Sequence, residues 1–530
     1  MIKLIIQIII ISLTPLFVLA EINSEIQTLI RSFSEERQSP DQPHCGFIDY
    51  VRLQQLLQQV DPSMQMLAKQ ANVMQRPVRE ESVLSPGGHF MLYFNRIGRD
   101  SVPNADIGNN GIPDFVDSAG VYLEKAWDVE INQLGFLPPP GNDGLPVQVY
   151  PVYFTNFGYY GLTTPEFPVK YEGVSDNAYT SYLELHNNYE GSMFYSNGLE
   201  GLKVTAAHEF NHAIQLGYDA DYYDHIFFME MTSTWLEDYV FEQVNDYVFY
   251  LNSLFRYLFS VSFTSTSGFY PYANSLYLHM IEKQYGPNFI AAVWQRIINE
   301  DALTALDNEL HVWNSSFAES QNRYAGWLYF TGSRAIPNLY FPEGSEYPEI
   351  EVNEGIEAFE FGISAQGMRL IELLPTMNGL ARAKVSSDDE GKFSHIINHQ
   401  QLTQPVDFKD DDIVTLSKNK RVIVVLSNPN ELYVNSLDYT VKRDKIITDS
   451  VPVVVTSTSA QMEFSNVPEF ASIRIFDILG QKVQTLKSET SNRVLWNLKD
   501  AAGRRIATGT YIYHVKALNY EYAGKLTILK

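Results

Sequence analysis

The stretch KVTAAHEFNHAIQLGY, residues 203–218, constrains this chain more than any other. Its flanks VTAA and AIQL are apolar and helix-compatible, which predicts a buried helix. Residues four apart share one helical face, so the imidazoles of His208 and His212 lie side by side, as zinc ligands require. Glu209 lies beside that face, where its carboxylate can take a proton from a water at the metal. We expect a metal site with a general base; an ordinary helix with two hydrogen-bonded histidines is the alternative.

The size and charge of the chain limit its class. Its 530 residues exceed what a single core supports, and 45% hydrophobic residues are typical of globular domains. A net charge of −25 makes nucleic acid an unsuitable partner. Cys45 is the single cysteine, so an internal disulfide is excluded.

Residues 1–20, MIKLIIQIIIISLTPLFVLA, are typical of a signal peptide. A lysine precedes an apolar run, and Val18 and Ala20 supply small residues before the cleavage point. No later segment is long and apolar enough to span a bilayer, so we expect export without a transmembrane anchor.

The spacing of hydrophobic residues divides the rest of the chain into four segments. Residues 21–85 carry helical stripes and read as a helical leader or propeptide, and residues 86–340 mix strands and helices as one α+β domain. Residues 345–445 and 450–530 show short strands with polar turns. The predicted fold class is multidomain, an α+β domain followed by two β-sandwich (Ig-like) domains.

A catalytic metal needs a third protein ligand and an open fourth position. Gln215 and Tyr218 stand where a metzincin would carry its glycine and third ligand, which excludes that class. The next helix-like run, FMEMTSTWLEDYVF, offers Glu230 in its first turn as the preferred ligand. Glu237 and, less favourably, His225 are the alternatives.

HEFNHAIQ followed by MEMTSTWLED resembles the secreted bacterial zinc metalloproteases of the gluzincin type, in particular a group with the pattern HEFxHAxQ and then WxExTATWxED. The resemblance covers roughly residues 88–330. It implies a zincin-like metallopeptidase domain with zinc held by the two histidines and Glu230. Better-known gluzincins carry an aspartate four residues after this glutamate to orient a histidine, and here Thr234 stands there. Glu237 or Asp238 is then expected to hold an imidazole N–H.

Peptide hydrolysis also needs a donor for the oxyanion. Tyr270 and Tyr272 precede a helix-like run, in a position similar to the tyrosine of related aminopeptidases, and we assign the role to Tyr272. The strand-like SYLELHNNY, residues 181–189, is the candidate edge strand for an extended substrate. His186 within it is interpreted as a surface residue.

The stretch DIGNNGIPDFVD, residues 106–117, follows the spacing of an EF-hand-like calcium loop. The candidate ligands are Asp106, Asn110, Asp114 and Asp117. Gly108 leaves one ligand position empty, so weak affinity is expected. An Asn-Gly turn before a helix start is the alternative.

Cys45 lies in PHCGF, within the leader. Because a thiolate is a good zinc ligand, we hypothesise that Cys45 is a latency thiol that fills the open coordination position until the leader is removed. An idle buried thiol is the alternative.

The C-terminal segments IRIFDILGQKVQTL, LWNLKD, AAGRRIATGTYIYHV and KLTILK resemble the sorting domain of proteins exported by the type IX secretion system. The resemblance implies a Gram-negative source, outer-membrane secretion machinery as a partner, and a secreted or cell-surface location. Glycines at 480, 503 and 509 suit turns, and the expected core aromatics are Trp496, Tyr511 and Tyr513. A plain β accessory domain is the alternative.

These motifs predict a secreted, monomeric zinc metalloendopeptidase that hydrolyses protein or peptide substrates. The alternative is a cell-surface adhesion or polymer-binding protein on a zincin scaffold. An intact Glu209 favours the enzyme, since a purely structural site needs no base.

Overall fold

The computed structural model describes residues 21–60, 66, 75–218, 222–258, 260–355, 359–363, 366–373, 381–387, 393–398, 406–408, 413–416, 422–429, 437–445, 461–465, 467, 470–489, 493–517 and 520–528. The predicted signal peptide lies outside these residues. The chain is mixed α/β and forms two compact units: unit 1 is residues up to Ser320 with Phe330–Ile350, and unit 2 is Gln321–Tyr329 with Glu351 onward. Across the described ranges, no helix has both the length and the apolar character of a membrane span.

The leader residues are helical and belong to unit 1. Helix α1 covers residues 21–34 and α2 covers Phe47–Leu57. The apolar positions of α1, Ile26 among them, are buried, as their helical spacing predicts. Strand β1 (Glu81–Leu84) forms a hairpin with β2 (Phe90–Phe94), so the predicted leader boundary at residue 85 falls inside a hairpin.

A five-stranded mixed sheet organises unit 1. Its other strands are β3 (Tyr150–Thr155), β4 (Gly161–Tyr171) and β5 (Ser175–His186), in the order β1-β2-β3-β5-β4. Strand β3 is parallel to β2 and β5, whereas β4 is antiparallel to β5. The prediction of an edge strand within residues 181–189 was wrong, because β5 lies between β3 and β4, and β4, which leads into β5 through a turn at Gly173, takes the edge.

Helices supply the rest of unit 1. They are α3 (Asp114–Trp127), a π-helix (Asp128–Gln133), α4 (Leu199–Tyr218), α5 (Tyr222–Val240), a 3-10 helix (Asp246–Tyr250), α6 (Leu251–Tyr257), α7 (Tyr270–Ala273), α8 (Leu276–Tyr285), α9 (Asn288–Ile297) and α10 (Ala302–Val312). Helix α11 (Phe317–Tyr329) contributes residues to both units. Helix α4 carries the HEFNH sequence, and its residues are buried on nearly all sides by contacts with α3, α5 and β5. A helix that is buried on nearly all sides is a core element, as the apolar flanks of HEFNH predict.

Apart from its residues in α11, the described part of unit 2 is built from strands. Its first nine strands are β6 (Asn353–Gly355), β7 (Phe359–Ile363), β8 (Met368–Leu373), β9 (Ala381–Ser387), β10 (Phe393–Asn398), β11 (Val406–Phe408), β12 (Ile413–Leu416), β13 (Val422–Ser427) and β14 (Leu437–Lys445). One sheet has the order β11-β10-β13-β8-β6 and another has the order β12-β9-β14-β7. All pairings are antiparallel except that of β6 with β8.

The C-terminal strands have their own core. Strand β15 (Met462–Ser465) pairs with β18 (Arg493–Trp496), and a second sheet joins β16 (Ser472–Asp477), β17 (Lys482–Lys487), β19 (Gly509–Ala517) and β20 (Tyr520–Ile528). The predicted core aromatics, Trp496, Tyr511 and Tyr513, are all buried in it. Glycines 480 and 503 have a φ of +80° and turn the chain, whereas Gly509 begins β19.

Candidate metal centre

Four side chains converge inside unit 1. The Nε2 atoms of His208 and His212, on α4, lie 3.1 Å apart. Oε2 of Glu230, on α5, lies 3.2 Å from the first and 3.6 Å from the second. Sγ of Cys45 lies 3.4 Å from Nε2 of His212, and one ligand atom from each of the four lies within 4.8 Å of the others. This buried group could hold a metal ion.

The environment of Glu230 indicates that a cation belongs there. The side chain is fully buried, and neither carboxylate oxygen accepts a hydrogen bond. Burial alone would raise its pKa, but the imidazoles of His212 and His208 lower the pKa of Glu230 to about 2. A buried carboxylate without hydrogen bonds is costly unless paired with a cation or coordinated to a metal. The donor set of two imidazoles, one carboxylate and one thiol suits such an ion.

Neighbouring side chains fix the orientation of both imidazoles. Nδ1 of His208 lies 2.6 Å from Oε1 of Glu237. Glu237 therefore lies where it can hold an imidazole N–H, the role predicted for it. Nδ1 of His212 lies 2.8 Å from Oε1 of Gln215. Each Nε2 therefore faces the centre, because the other ring nitrogen is held by a hydrogen bond.

A buried polar network continues behind His212. Nε2 of Gln215 donates to Oδ1 of Asn211 at 2.5 Å, and Nδ2 of Asn211 donates to Oε2 of Glu130 at 3.1 Å. Ser233 also donates to Oδ1 of Asn211, at 3.1 Å. Burial raises the pKa of Glu130 well above its usual range. The network joins α4 to the π-helix and to α5, which makes the position of His212 rigid.

Glu209 is fully buried beside the centre. Oγ1 of Thr163, on the edge strand β4, lies 2.8 Å from the backbone oxygen of Glu209 and 2.8 Å from Oε2 of Glu209. Gly161, two residues earlier, lies against its side chain: a Cβ built there would be 2.4 Å from Cγ of Glu209. Burial raises the pKa of Glu209, partly offset by the imidazoles of His208 and His212. Strand β4 therefore positions this carboxylate.

Tyr272 lies next to His208. The two rings are stacked with centroids 6.2 Å apart, and the buried hydroxyl of Tyr272 makes no hydrogen bond. Burial, and then the negative charge of Glu230, raise its pKa well above the usual range. The phenol is therefore a proton-bearing donor beside the group. Tyr270 is also buried, and burial raises the pKa of its hydroxyl.

Other predicted residues lie elsewhere. Asp238 is directed to His279, with Oδ2 and Nδ1 3.8 Å apart, and does not contact the imidazoles of the group. His225, an alternative ligand, is not a member of the convergent group. The expectation that His186 is a surface residue was wrong: it is 4% exposed and packs against Phe194 and Tyr189, because β5 is an interior strand.

The predicted calcium loop closes on itself. Asp106 accepts the backbone N–H groups of Asn110 and Gly111, at 3.1 and 2.9 Å, and Asp114 accepts that of Ile107. Asn110 donates to Asp117 at 2.7 Å. Among the described residues, the group of side chains that could hold a metal ion does not include these carboxylates. The hydrogen bonds account for the turn without an ion, and the calcium site stays a prediction.

Sequence reasoning did not assign Thr163, Asn211 or Ser233 to the site. Gln215 could have been found, since it is three residues after His212 on the same helical face. Thr163 gives no local signal, because strand topology brings it to Glu209.

Comparison with known proteins identifies no family. No family model matches the chain, and no curated protein does. The matching solved structures include PorZ, a surface component of the type IX secretion system of Porphyromonas gingivalis (16% identity, 17% of this chain and 14% of that chain, TM-score 0.13). Dimeric latent PorU of the same organism matches at 12% identity over 33% and 20% of the two chains (TM-score 0.12). The adhesin domain of Epf from Streptococcus pyogenes matches at 9% identity over 33% and 74% (TM-score 0.13). The chain spans about a seventh of the PorZ chain, and similarity at this level carries no functional argument.

Proposed function

We propose that the chain is a zinc-dependent metalloendopeptidase. The observation that carries the proposal is the convergence of His208, His212 and Glu230, with the buried carboxylate of Glu209 next to them. Imidazole, carboxylate and thiolate together match zinc, whereas calcium and magnesium prefer oxygen ligands alone. A structural zinc site would need the ligands but not a second buried carboxylate.

Each residue of the site has a separate role in the proposed peptide hydrolysis. His208, His212 and Glu230 would hold the metal, and zinc bound there would supply a Lewis acid for the scissile carbonyl and for water. Glu209 takes a proton from the attacking water and passes it to the leaving amine. Its raised pKa, caused by burial, suits a group that must both accept and release a proton near neutral pH. The hydroxyl of Tyr272 would donate a hydrogen bond to the developing oxyanion.

The strand-rich unit 2 is assigned a role in placing the enzyme outside the cell. We propose that its last strands are a sorting domain that directs the chain through the type IX machinery, so that the enzyme acts outside the cell. The sequence resemblance of residues 450–530 and the strand-built core around Trp496 support this assignment.

The test compares the full chain with Glu209→Gln. Zinc is measured by elemental analysis, and hydrolysis of casein is followed before and after limited proteolysis. Glutamine keeps the shape of the side chain and the bond from Thr163. We expect about one zinc per chain in both proteins and at least a hundredfold loss of hydrolysis in the variant. Zinc without hydrolysis in any form would refute the peptidase, and absence of zinc would refute the site.

A further inference from the structure

Residues 37–47, which we call the leader strap, cover the metal centre. Cys45 forms a parallel β-bridge with Gly161 at the start of β4. The backbone N–H of Gly46 donates to Gly161 at 3.0 Å, and that of Tyr160 donates to His44 at 2.7 Å. The strap therefore extends along the edge strand that also positions Glu209. An open edge next to a catalytic group is where an extended peptide would bind.

The strap fills the space around the metal ligands. Cys45 is 2% exposed, and the ring of Phe47 stacks on His212 with centroids 4.8 Å apart. The cavity left there, lined by Cys45, His208 and Glu209 among others, has a volume of only about 10 Å³. Ligand sites in proteins usually offer about 300–1,000 Å³. A peptide substrate does not fit while the strap is in place.

Arg37 anchors the strap at one end. It is 6% exposed, and its Nε donates to the backbone oxygen of Met193 at 2.7 Å. Nη1 donates to the backbone oxygen of Gly158 at 3.1 Å, and the guanidinium lies 5.1 Å from the ring centroid of Tyr160. A buried guanidinium with these contacts is a specific attachment, because its charge would be costly to bury without them.

His44 fills an acidic subsite beside the thiol. Its Nδ1 lies 2.8 Å from Oδ2 of Asp246, and its ring stacks on Tyr160 with centroids 3.9 Å apart. Asp246 is 1% exposed and also accepts the hydroxyl of Ser196 at 2.5 Å. Departure of the strap would remove both His44 and Arg37 from this region. Of its hydrogen-bond donors, the carboxylate would then keep only the hydroxyls of Ser196 and Tyr250, which favours the entry of another basic N–H donor.

We propose that the leader strap is a built-in inhibitor of the peptidase, with Cys45 as fourth metal ligand, and that Asp246 selects a basic substrate side chain after the strap departs. The proposal rests on the proposed function. Cys45 binds as a thiolate and its proton passes to solvent, so no oxidant or reductant is required. The substrate class is a peptide with histidine, lysine or arginine next to the cleaved bond.

The first test detects the sulfur ligand without any activity assay. X-ray absorption of the zinc-loaded full chain should show one sulfur at about 2.3 Å. The cobalt-substituted chain should show a thiolate-to-cobalt charge-transfer band that Cys45→Ala abolishes. A zinc ion coordinated by nitrogen and oxygen alone would overturn Cys45 as a ligand.

The second test measures latency in the full chain. We expect Cys45→Ala to hydrolyse casein at least tenfold faster than the wild type. Arg52→Ala is the matched control, since it breaks an exposed ion pair between two leader residues, Arg52 and Glu25, and should stay latent. If Cys45→Ala does not fold, His44→Ala weakens the attachment of the strap to Asp246 and should also raise casein hydrolysis above the wild-type rate.

The outcomes separate the inhibitor from the enzyme. Equal hydrolysis by wild type and Cys45→Ala would overturn the inhibitor and leave the peptidase standing. A sulfur ligand with no hydrolysis by any form would refute the peptidase and with it the inhibitory role, and would identify a four-ligand structural site.

The third test profiles a peptide library with Cys45→Ala, with and without Asp246→Asn. We expect enrichment of basic residues at one position, and at least a tenfold loss of kcat/KM for those peptides in Asp246→Asn, with neutral peptides little changed. Asp176→Asn, at an exposed acidic position, is the matched control. An unchanged preference would overturn the assignment of Asp246.

Discussion

Gly161→Ala tests whether β4 positions Glu209. Gly161 has no positive φ, so alanine fits its backbone. The added Cβ would lie 2.4 Å from Cγ and 2.7 Å from Oε1 of Glu209, and 2.6 Å from Cγ2 of Thr205. Ordinary contact begins at 3.4 Å, so Glu209 must move by about 1.0 Å (3.4 − 2.4). A displacement of about 1 Å of a catalytic group costs about a hundredfold in rate, and overpacking costs about 1–3 kcal/mol of stability.

The assay is made in the Cys45→Ala background, so that latency does not mask the effect. Casein hydrolysis should fall about a hundredfold while zinc content stays unchanged, because the added methyl meets no ligand. Gly108→Ala is the matched control, since a Cβ there meets nothing within 4 Å and its φ is not positive. Full hydrolysis by the folded, zinc-loaded Gly161→Ala protein would refute the role of β4 and weaken Glu209 as the base.

Three further predictions concern other parts of the chain. Glu237→Ala removes the 2.6 Å bond to His208, and zinc affinity should fall about 10–100-fold in a chelator competition; an unchanged Kd would contradict this. Burial, and then nearby carboxylates, raise the pKa of Asp238 to about 8, so the folded state binds this proton more tightly than the unfolded chain. Wild-type stability should fall as pH rises from about 4 to about 8, and Asp238→Asn should flatten that dependence of Tm; equal slopes would show that Asp238 is not its source. Trp496→Ala should destabilise the C-terminal strands by about 3–5 kcal/mol in urea unfolding, with zinc content unaffected, and a smaller loss would show that the indole is not a core residue.

The convergence of the candidate metal-binding residues could be predicted because their signal is local. His208 and His212 are one helical turn apart, and the 3.6-residue period places them together without knowledge of the fold. Glu230 follows on the next helix, and a short connection leaves few ways for two helices to pack. The helical stripes of the leader and the core aromatics of the last strands depend on the same local periodicities.

Contacts set by topology could not be predicted in this way. His44 and Asp246 are 202 residues apart, and Thr163 is 46 residues from Glu209. The choice of edge strand shows the cause: β4 and β5 have similar strand patterns, and only the long-range pairing of β5 with β3 makes β5 the interior strand. The error at His186 has the same origin, since a residue on an interior strand is covered by neighbours that its local sequence does not specify.

The proposed coordination of the metal by Cys45 would link latency to catalysis. Four protein ligands complete a zinc site, whereas a catalytic site keeps one position open. A permanently closed site would gain nothing from Glu209, whose carboxylate is buried against the ligands, where burial raises its pKa. The fourth ligand differs from the other three, because it comes from the leader strap and not from α4 or α5. A closed site with a removable ligand reconciles the complete donor set with the buried base.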